Sequence, residues 1–388
     1  MARGLEAAMI ADQRSLFDIP DDIAYFNCAS LAPLMSSALE AGRKAQASRA
    51  RPWTIGIDDW FALVERRREL LASIVGASSE NIALVPATSY GLATAARNLF
   101  TSEGQRILLI AEDYPSAVYT WRRFCKRTGA SILTVKRRAE DDWTTAILAA
   151  LDERVAIIQV PNVHWTDGAV IDLAVVAERA RAVGAKLVVD ASQSLGVLPI
   201  DLATVRPDFL VAVGYKWLLG PFGLGYLYVA DQWLDGEPLE ESWINRVRSD
   251  DFAALVDYQD RYQNGARRFD VGERTSFETT PIAVAALEQI QRWTAQALAK
   301  TLCAKVEQIA AGAADLGIQL TTRGAQISHM LGLAVAPEEI QGTAQRLRNF
   351  NVFVGVRGSS IRISPHVYTT DQDIARLMSG LTAAAGKT

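Results

Sequence analysis

The chain has 388 residues, 49% of them hydrophobic and 22% charged, with a formal net charge of −4. That is enough chain for a large core and two structural domains, and the balance is ordinary for a soluble globular enzyme. It excludes a basic footprint for nucleic acid, a polybasic membrane patch and an apolar run of transmembrane length. Glu6 and Asp12 interrupt the N-terminus where a signal peptide needs its apolar stretch, so a cytoplasmic protein is expected. Cys28, Cys125 and Cys303 are odd in number and lack CxxC spacing, which argues against a disulfide framework or a zinc site. The three histidines, His164, His329 and His366, form no HExxH motif, so no metal site is expected.

Residues 22–33 open with a short strand and break at Pro33, ahead of a helix at 35–48. A second helix, 58–76, carries Trp60, Phe61, Val64, Leu70, Leu71 and Ile74 at helical spacing and ends at Gly76. Apolar runs at 81–86, 106–111, 131–136, 155–160, 186–190, 208–213 and 224–229 read as buried strands, most of them separated by helical patterns. Such alternation demands a largely parallel seven-stranded sheet with helices on both faces. The last two runs are joined through Gly220-Pro221-Phe222-Gly223 without a helix, which predicts an antiparallel pair.

Periodicity lapses over 236–265, where charge rises, and a smaller α+β part follows. It reads as a helix from 281 to about 316, strands at 330–335 and 352–356 around a helix at 337–349, and a last strand at 360–366. Thr370 caps the final helix, with Asp373 in the capping-box position. The expected division is a large α/β domain over 21–264 and a small C-terminal α+β domain over 265–388, joined by residues 1–20.

Two charged residues stand out against this apolar background. Asp190 ends one strand and Lys216 lies just past the next, both at carboxyl ends, where open α/β sheets bind ligands. A carboxylate and an amine in apolar sequence are costly to bury without partners. Pyridoxal 5'-phosphate would partner both, with Lys216 as its Schiff base and Asp190 on its pyridinium nitrogen. Upstream, the strand 81–86 runs into Ala87-Thr88-Ser89-Tyr90-Gly91 and a helix. Hydroxyls and free N–H groups at a helix N-terminus make a phosphate cradle, although Ser and Thr are also common caps.

Asp190-Ala191-Ser192-Gln193, then Gly214-Tyr215-Lys216 ahead of a Gly-rich strand, resembles the class V aminotransferase family of pyridoxal-phosphate enzymes, over about residues 22–378. The resemblance implies the aspartate-aminotransferase-like fold and a homodimer with its site at the subunit interface. It implies that Thr88 and Ser89 hold the cofactor phosphate, Tyr114 stacks on the ring, Gln193 reaches the ring's 3′-oxygen, and Tyr215 replaces a phosphate-binding histidine. Arg362, in Ser360-Ile361-Arg362-Ile363-Ser364, matches the arginine that binds the substrate α-carboxylate, and its planar fork suits that task. Asn27 and Ser30, after the first strand, match positions near the substrate, or else form a plain turn. Trp165 stands where relatives carry Asn and gives the pocket another shape. His164 beside it is an acid/base candidate or a loop histidine, His366 is a candidate for the same pocket, and Arg274 is a candidate anion ligand in place of a displaced Thr.

Lys216 and the ring would run amino-acid chemistry at Cα. Transamination leads, with elimination by a lyase or epimerisation as alternatives. A persulfide-type cysteine desulfurase is not expected, because 353–362 holds no Cys. A non-catalytic binding protein is disfavoured by the presence of both Lys216 and Asp190.

Overall fold

The structure is a computed structural model that describes residues 8–138, 141–321 and 328–384. In chain order its strands are β1 (Ala24–Tyr25), β2 (Ile82–Val85), β3 (Arg106–Ile110), β4 (Ser131–Val135), β5 (Val155–Pro161), β6 (Lys186–Asp190), β7 (Phe209–Val213), β8 (Gly225–Val229), β9 (Leu331–Ala334), β10 (Val352–Phe353), β11 (Gly355–Arg357) and β12 (Ser360–Ile363). The main sheet has seven strands in the order β2-β8-β7-β6-β5-β3-β4. All neighbours are parallel except β8, which runs antiparallel to both β2 and β7. The antiparallel end expected from the helix-free Gly-Pro-Phe-Gly link is present.

The strands bury both faces because their apolar residues are consecutive rather than alternating. On one face Leu108, Ile110, Val189 and Leu210 pack with Val176, Ala177 and Ala180 of helix Leu173–Ala182. On the other, Leu109, Val188 and Val211 pack with Leu92 and Ala95 of helix Thr88–Asn98 and with Trp121. Each such aliphatic side chain contributes about 1.5–3 kcal/mol on burial. Gly91 sets how closely helix Thr88–Asn98 approaches. A Cβ there would stand 2.6 Å from Val211 Cγ2, so only glycine lets the helix lie against β7 with its N-terminus at the strand ends.

The C-terminal part differs from expectation in detail. The helix read as 281–316 is two helices, Thr280–Trp293 and Ala295–Asp315. Thr294 breaks them with φ 66 and ψ 145, and its hydroxyl caps the second helix at Ala297 N–H. The strand read as 352–356 is split into β10 and β11, and the last strand ends at Ile363. The capping box at the final helix is formed: Thr370 N–H donates to Asp373 Oδ2 at 2.9 Å and Asp373 N–H to Thr370 Oγ1 at 3.1 Å.

A second core gathers Ala24, Phe26, Val306, Ile309, Leu333, Ile361 and Leu377. It therefore draws in β1, which pairs in parallel with β10, whereas Ala286, Leu287 and Ile290 of helix Thr280–Trp293 join the main core. The cores do not divide the chain at 264/265. No helix among the described residues is long and apolar enough to cross a membrane.

Candidate active site

Parallel strands bring their carboxyl ends to one edge, and here that edge collects β3, β5, β6 and β7. β6 ends in Asp190, which is buried, and its Oδ1 accepts from Ser192 N–H at 2.9 Å. Among the described residues no cation bonds it. Burial raises its carboxyl above the ordinary range, with Ser192 and Lys216 acting in the opposite direction. β7 leads through Gly214 and Tyr215 to Lys216, itself only 7% exposed. This loop doubles back so tightly that a Cβ on Gly214 would meet Leu224 O at 2.9 Å. Burial lowers the Lys216 ammonium to about 8 against the pull of Asp190, with Arg362 and Arg357 lowering it further. A useful fraction is thus free amine near neutrality, which is what a lysine needs to attack a carbonyl.

Around these two groups lies a narrow cavity of about 30 Å³ that Thr88, Asp113, Tyr114, Trp165 and Tyr215 also line. Tyr114 sits on one wall, with Lys216 Nζ 5.6 Å from its ring centroid and the Trp165 ring edge-on at 5.4 Å. At the far end the Thr88 and Ser192 hydroxyls lie 2.9 Å apart, where helix Thr88–Asn98 begins without a side-chain cap. Its first N–H groups and the positive end of its dipole face the same region. Ser89 is exposed and outside the lining, so its side chain is not brought to the cavity. Tyr215 lines the cavity, and its hydroxyl is raised by burial and by Tyr114 and Asp190. Gln193 also lines it, but its side chain is spent on the protein. Nε2 donates to Ala29 O at 3.1 Å, and Trp217 Nε1 donates to Oε1 at 2.9 Å.

The substrate candidates sort into two groups. Arg362 is buried. It donates from Nη1 to Trp165 O at 2.7 Å, and from Nη2 to Ser30 Oγ at 3.1 Å and Asn27 Oδ1 at 3.4 Å. Asn27, Ser30, Trp165 and Arg362 therefore lie together, with Asn27, Ser30 and the Trp165 carbonyl accepting from the arginine. Gly355, opposite Arg362 across β11 and β12, leaves the room: a Cβ there would stand 2.8 Å from Asn27 Oδ1.

Three candidates lie elsewhere. His164 is buried outside the cavity lining, at the start of a turn in which Gly168 N–H donates to His164 O at 2.9 Å, with its ring 5.2 Å from that of Trp143. There its Nδ1 meets Thr166 Oγ1 at 2.8 Å and Asp167 Oδ1 at 3.2 Å. His366 is fully buried in a stack between Trp217 and Tyr368. Burial, then His329, lowers it to about 3, so it stays neutral. Arg274 is tied to Asp270 at 2.5 Å and to Ile244 O at 3.3 Å, in a buried ion network with Arg68.

Two residues of the site escaped the sequence reading. Asp113 lines the cavity near Asp190. Its Oδ1 takes Tyr114 N–H at 2.7 Å and its Oδ2 has no hydrogen-bond partner among the described residues. Burial and the Asp190 charge push it up to about 7. Its signal was its place at the carboxyl end of β3, level with Asp190. Arg357 donates from Nη2 to Ser30 Oγ at 2.5 Å. Its signal was the hairpin register: it lies two residues beyond Gly355, on the face that carries Arg362.

This constellation fits pyridoxal phosphate residue by residue: a low-pKa amine, an unpaired buried carboxylate, a stacking ring, and an uncapped helix start beside two hydroxyls. Residues 58–242 of the chain match the family model described as Aminotransferase class-V, and over that stretch the chain is similar to that family. It is an enzyme of the pyridoxal-phosphate-dependent class, and pyridoxal 5'-phosphate is its cofactor.

Among its relatives is the uncharacterized aminotransferase YcbU of Bacillus subtilis (strain 168), 27% identical over 84% of this chain and 85% of that one. The isopenicillin N epimerase of Streptomyces clavuligerus is 28% identical over 94% and 96%. Among solved structures, a lysine-to-alanine mutant of C-DES with glycine covalently linked to its pyridoxal-phosphate cofactor superposes with a TM-score of 0.86 at 20% identity, covering 97% of this chain and 99% of that one. That likeness shows the fold.

Proposed function

We propose that the protein is an aminotransferase that works at the Cα of an amino acid. Lys216 carries this reading: a nearly buried amine, lowered to about 8, between Asp190 and the Arg362 cluster. When bound, the cofactor supplies an electron sink conjugated to the substrate nitrogen. Asp190 holds a ring nitrogen in its protonated form, since a buried carboxylate without a cation favours a positive partner. Arg362 takes the α-carboxylate on its planar fork and so fixes the rotation of Cα. Lys216 would hold the cofactor and, as the amine in the cavity lining, would move the Cα proton. Tyr114 and Trp165 wall the reacting atoms from water. Thr88, Ser192 and the helix start supply the phosphate end.

Among the described residues Lys216 is the single amine or imidazole in the cavity lining, which suits one base moving one proton. Epimerisation is the second reading, favoured by the relative of that activity that matches 94% of the chain; elimination by a lyase shares the same first step. Among the described residues no cysteine lines the cavity, and Cys28 lies fully buried beneath Lys216 with its thiol pushed up by burial, which supports leaving persulfide chemistry aside. A cytoplasmic homodimer belongs to the same proposal. Its support is Phe222, which is 72% exposed although its ring lies 4.5 Å from that of Tyr215, as an interface beside the cavity would require.

The test is the visible spectrum of the cofactor-loaded protein as single L-amino acids are added without an oxo-acid. An aminotransferase bleaches once and releases about one equivalent of oxo-acid. Product accumulating over many turnovers while the band persists would replace this reading with an epimerase or lyase.

A further inference from the structure

Arg357 and Arg362 are two neighbouring guanidinium groups outside the cavity lining but close enough to lower the Lys216 ammonium, with no carboxylate ion-paired to them among the described residues. Both donate to the same acceptor, Ser30 Oγ, at 2.5 and 3.1 Å. Their remaining protein contacts are neutral oxygens: Val356 O for Arg357, and Trp165 O and Asn27 Oδ1 for Arg362. Among the described residues neither makes an ion pair, and the charges that act on them come from each other and from Tyr114, Cys28 and Tyr25. By contrast, the buried Arg68 and Arg274 are answered by Asp270, while the buried Arg67 donates to Thr280 Oγ1 and lies over the Tyr226 ring.

Burying like charges side by side is unfavourable unless an anion joins them. The α-carboxylate of an amino acid supplies one anion and satisfies one fork. The second positive charge stays unanswered. The two arginines also differ in depth. Arg362 is 1% exposed and keeps Nε without a partner among the described residues, whereas Arg357 is half-buried, with its guanidinium 5.7 Å from the Trp165 ring centroid. Trp165 in turn lies edge-on to Tyr114, which stands over Lys216. Arg362 lies on the buried side of Trp165 and Arg357 on the more exposed side. The β11–β12 turn through Gly358 and Ser359 holds Arg357 there.

We infer that Arg357 is a specificity-determining residue and that the substrate is an amino acid with a second anionic group, its α-carboxylate on Arg362 and its distal carboxylate on Arg357. The inference rests on the reading of the cavity as a site of chemistry at Cα. It adds the substrate class that the catalytic pair leaves open.

The experiment measures binding without turnover. The cofactor-loaded enzyme is titrated calorimetrically with succinate, glutarate and adipate, and with butyrate and valerate as matched monocarboxylates. The best dicarboxylate should bind at least about tenfold tighter than either monocarboxylate. Arg357→Gln should erase that preference, and Arg357→Lys should restore part of it. In steady-state assays kcat/KM for L-aspartate or L-glutamate should fall far more in Arg357→Gln than kcat/KM for L-norvaline. Equal binding of both acid classes by the unaltered enzyme would overturn the inference. So would an Arg357→Gln variant that weakens both classes alike, since the two arginines would then grip a single carboxylate. Failure of the parent reading looks different: dicarboxylates would still be preferred, while no amino acid would perturb the cofactor spectrum.

Discussion

Two regions of this molecule bury charge, and they do so in opposite ways. Around Asp270 two buried arginines are ion-paired with one carboxylate. Its Oδ2 takes Arg68 Nη2 at 2.6 Å and Arg274 Nη1 at 2.5 Å, while Oδ1 takes Leu84 N–H at 2.7 Å. Glu65 bonds Arg68 and Arg267, and these pull its carboxyl down to about 2 against the effect of burial. At the strand ends Lys216, Asp190 and Asp113 share a pocket, with Arg357 and Arg362 near it, and among the described residues no ion pair joins them. A satisfied network fixes structure, and an unsatisfied one is held for something that arrives from outside. Arg274 and Arg362 look alike in sequence, yet they fall on opposite sides of this distinction.

Substitutions can break the comparison at either end. Lys216→Ala should have the largest effect, lowering kcat by more than about 10³-fold through loss of the base and of the cofactor link. It should leave the cofactor-free fold at least as stable in urea, because an unpaired buried amine is removed. Asp270→Asn should do the reverse. Leaving Arg68 and Arg274 without their anion should cost about 3–5 kcal/mol in urea denaturation, while kcat of the folded fraction changes little.

Asp113 gives a smaller, pH-dependent test. Its carboxyl is raised to about 7 in the folded chain, so its contribution to stability is fullest below pH ~4 and is lost as pH rises towards 7. The full span is at most about 4 kcal/mol. Urea midpoints of the cofactor-free protein between pH 4 and 7 should therefore decline less steeply in Asp113→Asn than in the unaltered chain. The smallest expected effect concerns cofactor capture. Its rate should rise about tenfold per pH unit up to about 8 and then flatten, following the free amine of Lys216.

The main sheet was legible because buried strands announce themselves as consecutive apolar runs, and even the antiparallel end followed from a link too short for a helix. Asp190 and Lys216 were legible for the same reason: a charge stands out in apolar sequence. The rest of the site was not, because its residues meet through topology. Arg357 reads as a polar residue beside a turn until β11 is folded against β12. His164 and Trp165 are neighbours in sequence, yet only Trp165 lines the cavity, because the chain turns between His164 and Gly168. The break at Thr294 was hidden because the residues on either side of it are good helix formers, and a single positive φ leaves no mark in composition.

The central claim, that Lys216 is the amine held for the cofactor, is tested most directly by chemical trapping. Purified protein is mixed with pyridoxal phosphate, reduced with borohydride, digested and mapped by mass spectrometry. The account predicts one pyridoxyl label, on the peptide containing Lys216, and none on that peptide in Lys216→Ala. A label on another lysine, or no stable label while the fold is intact, would contradict it.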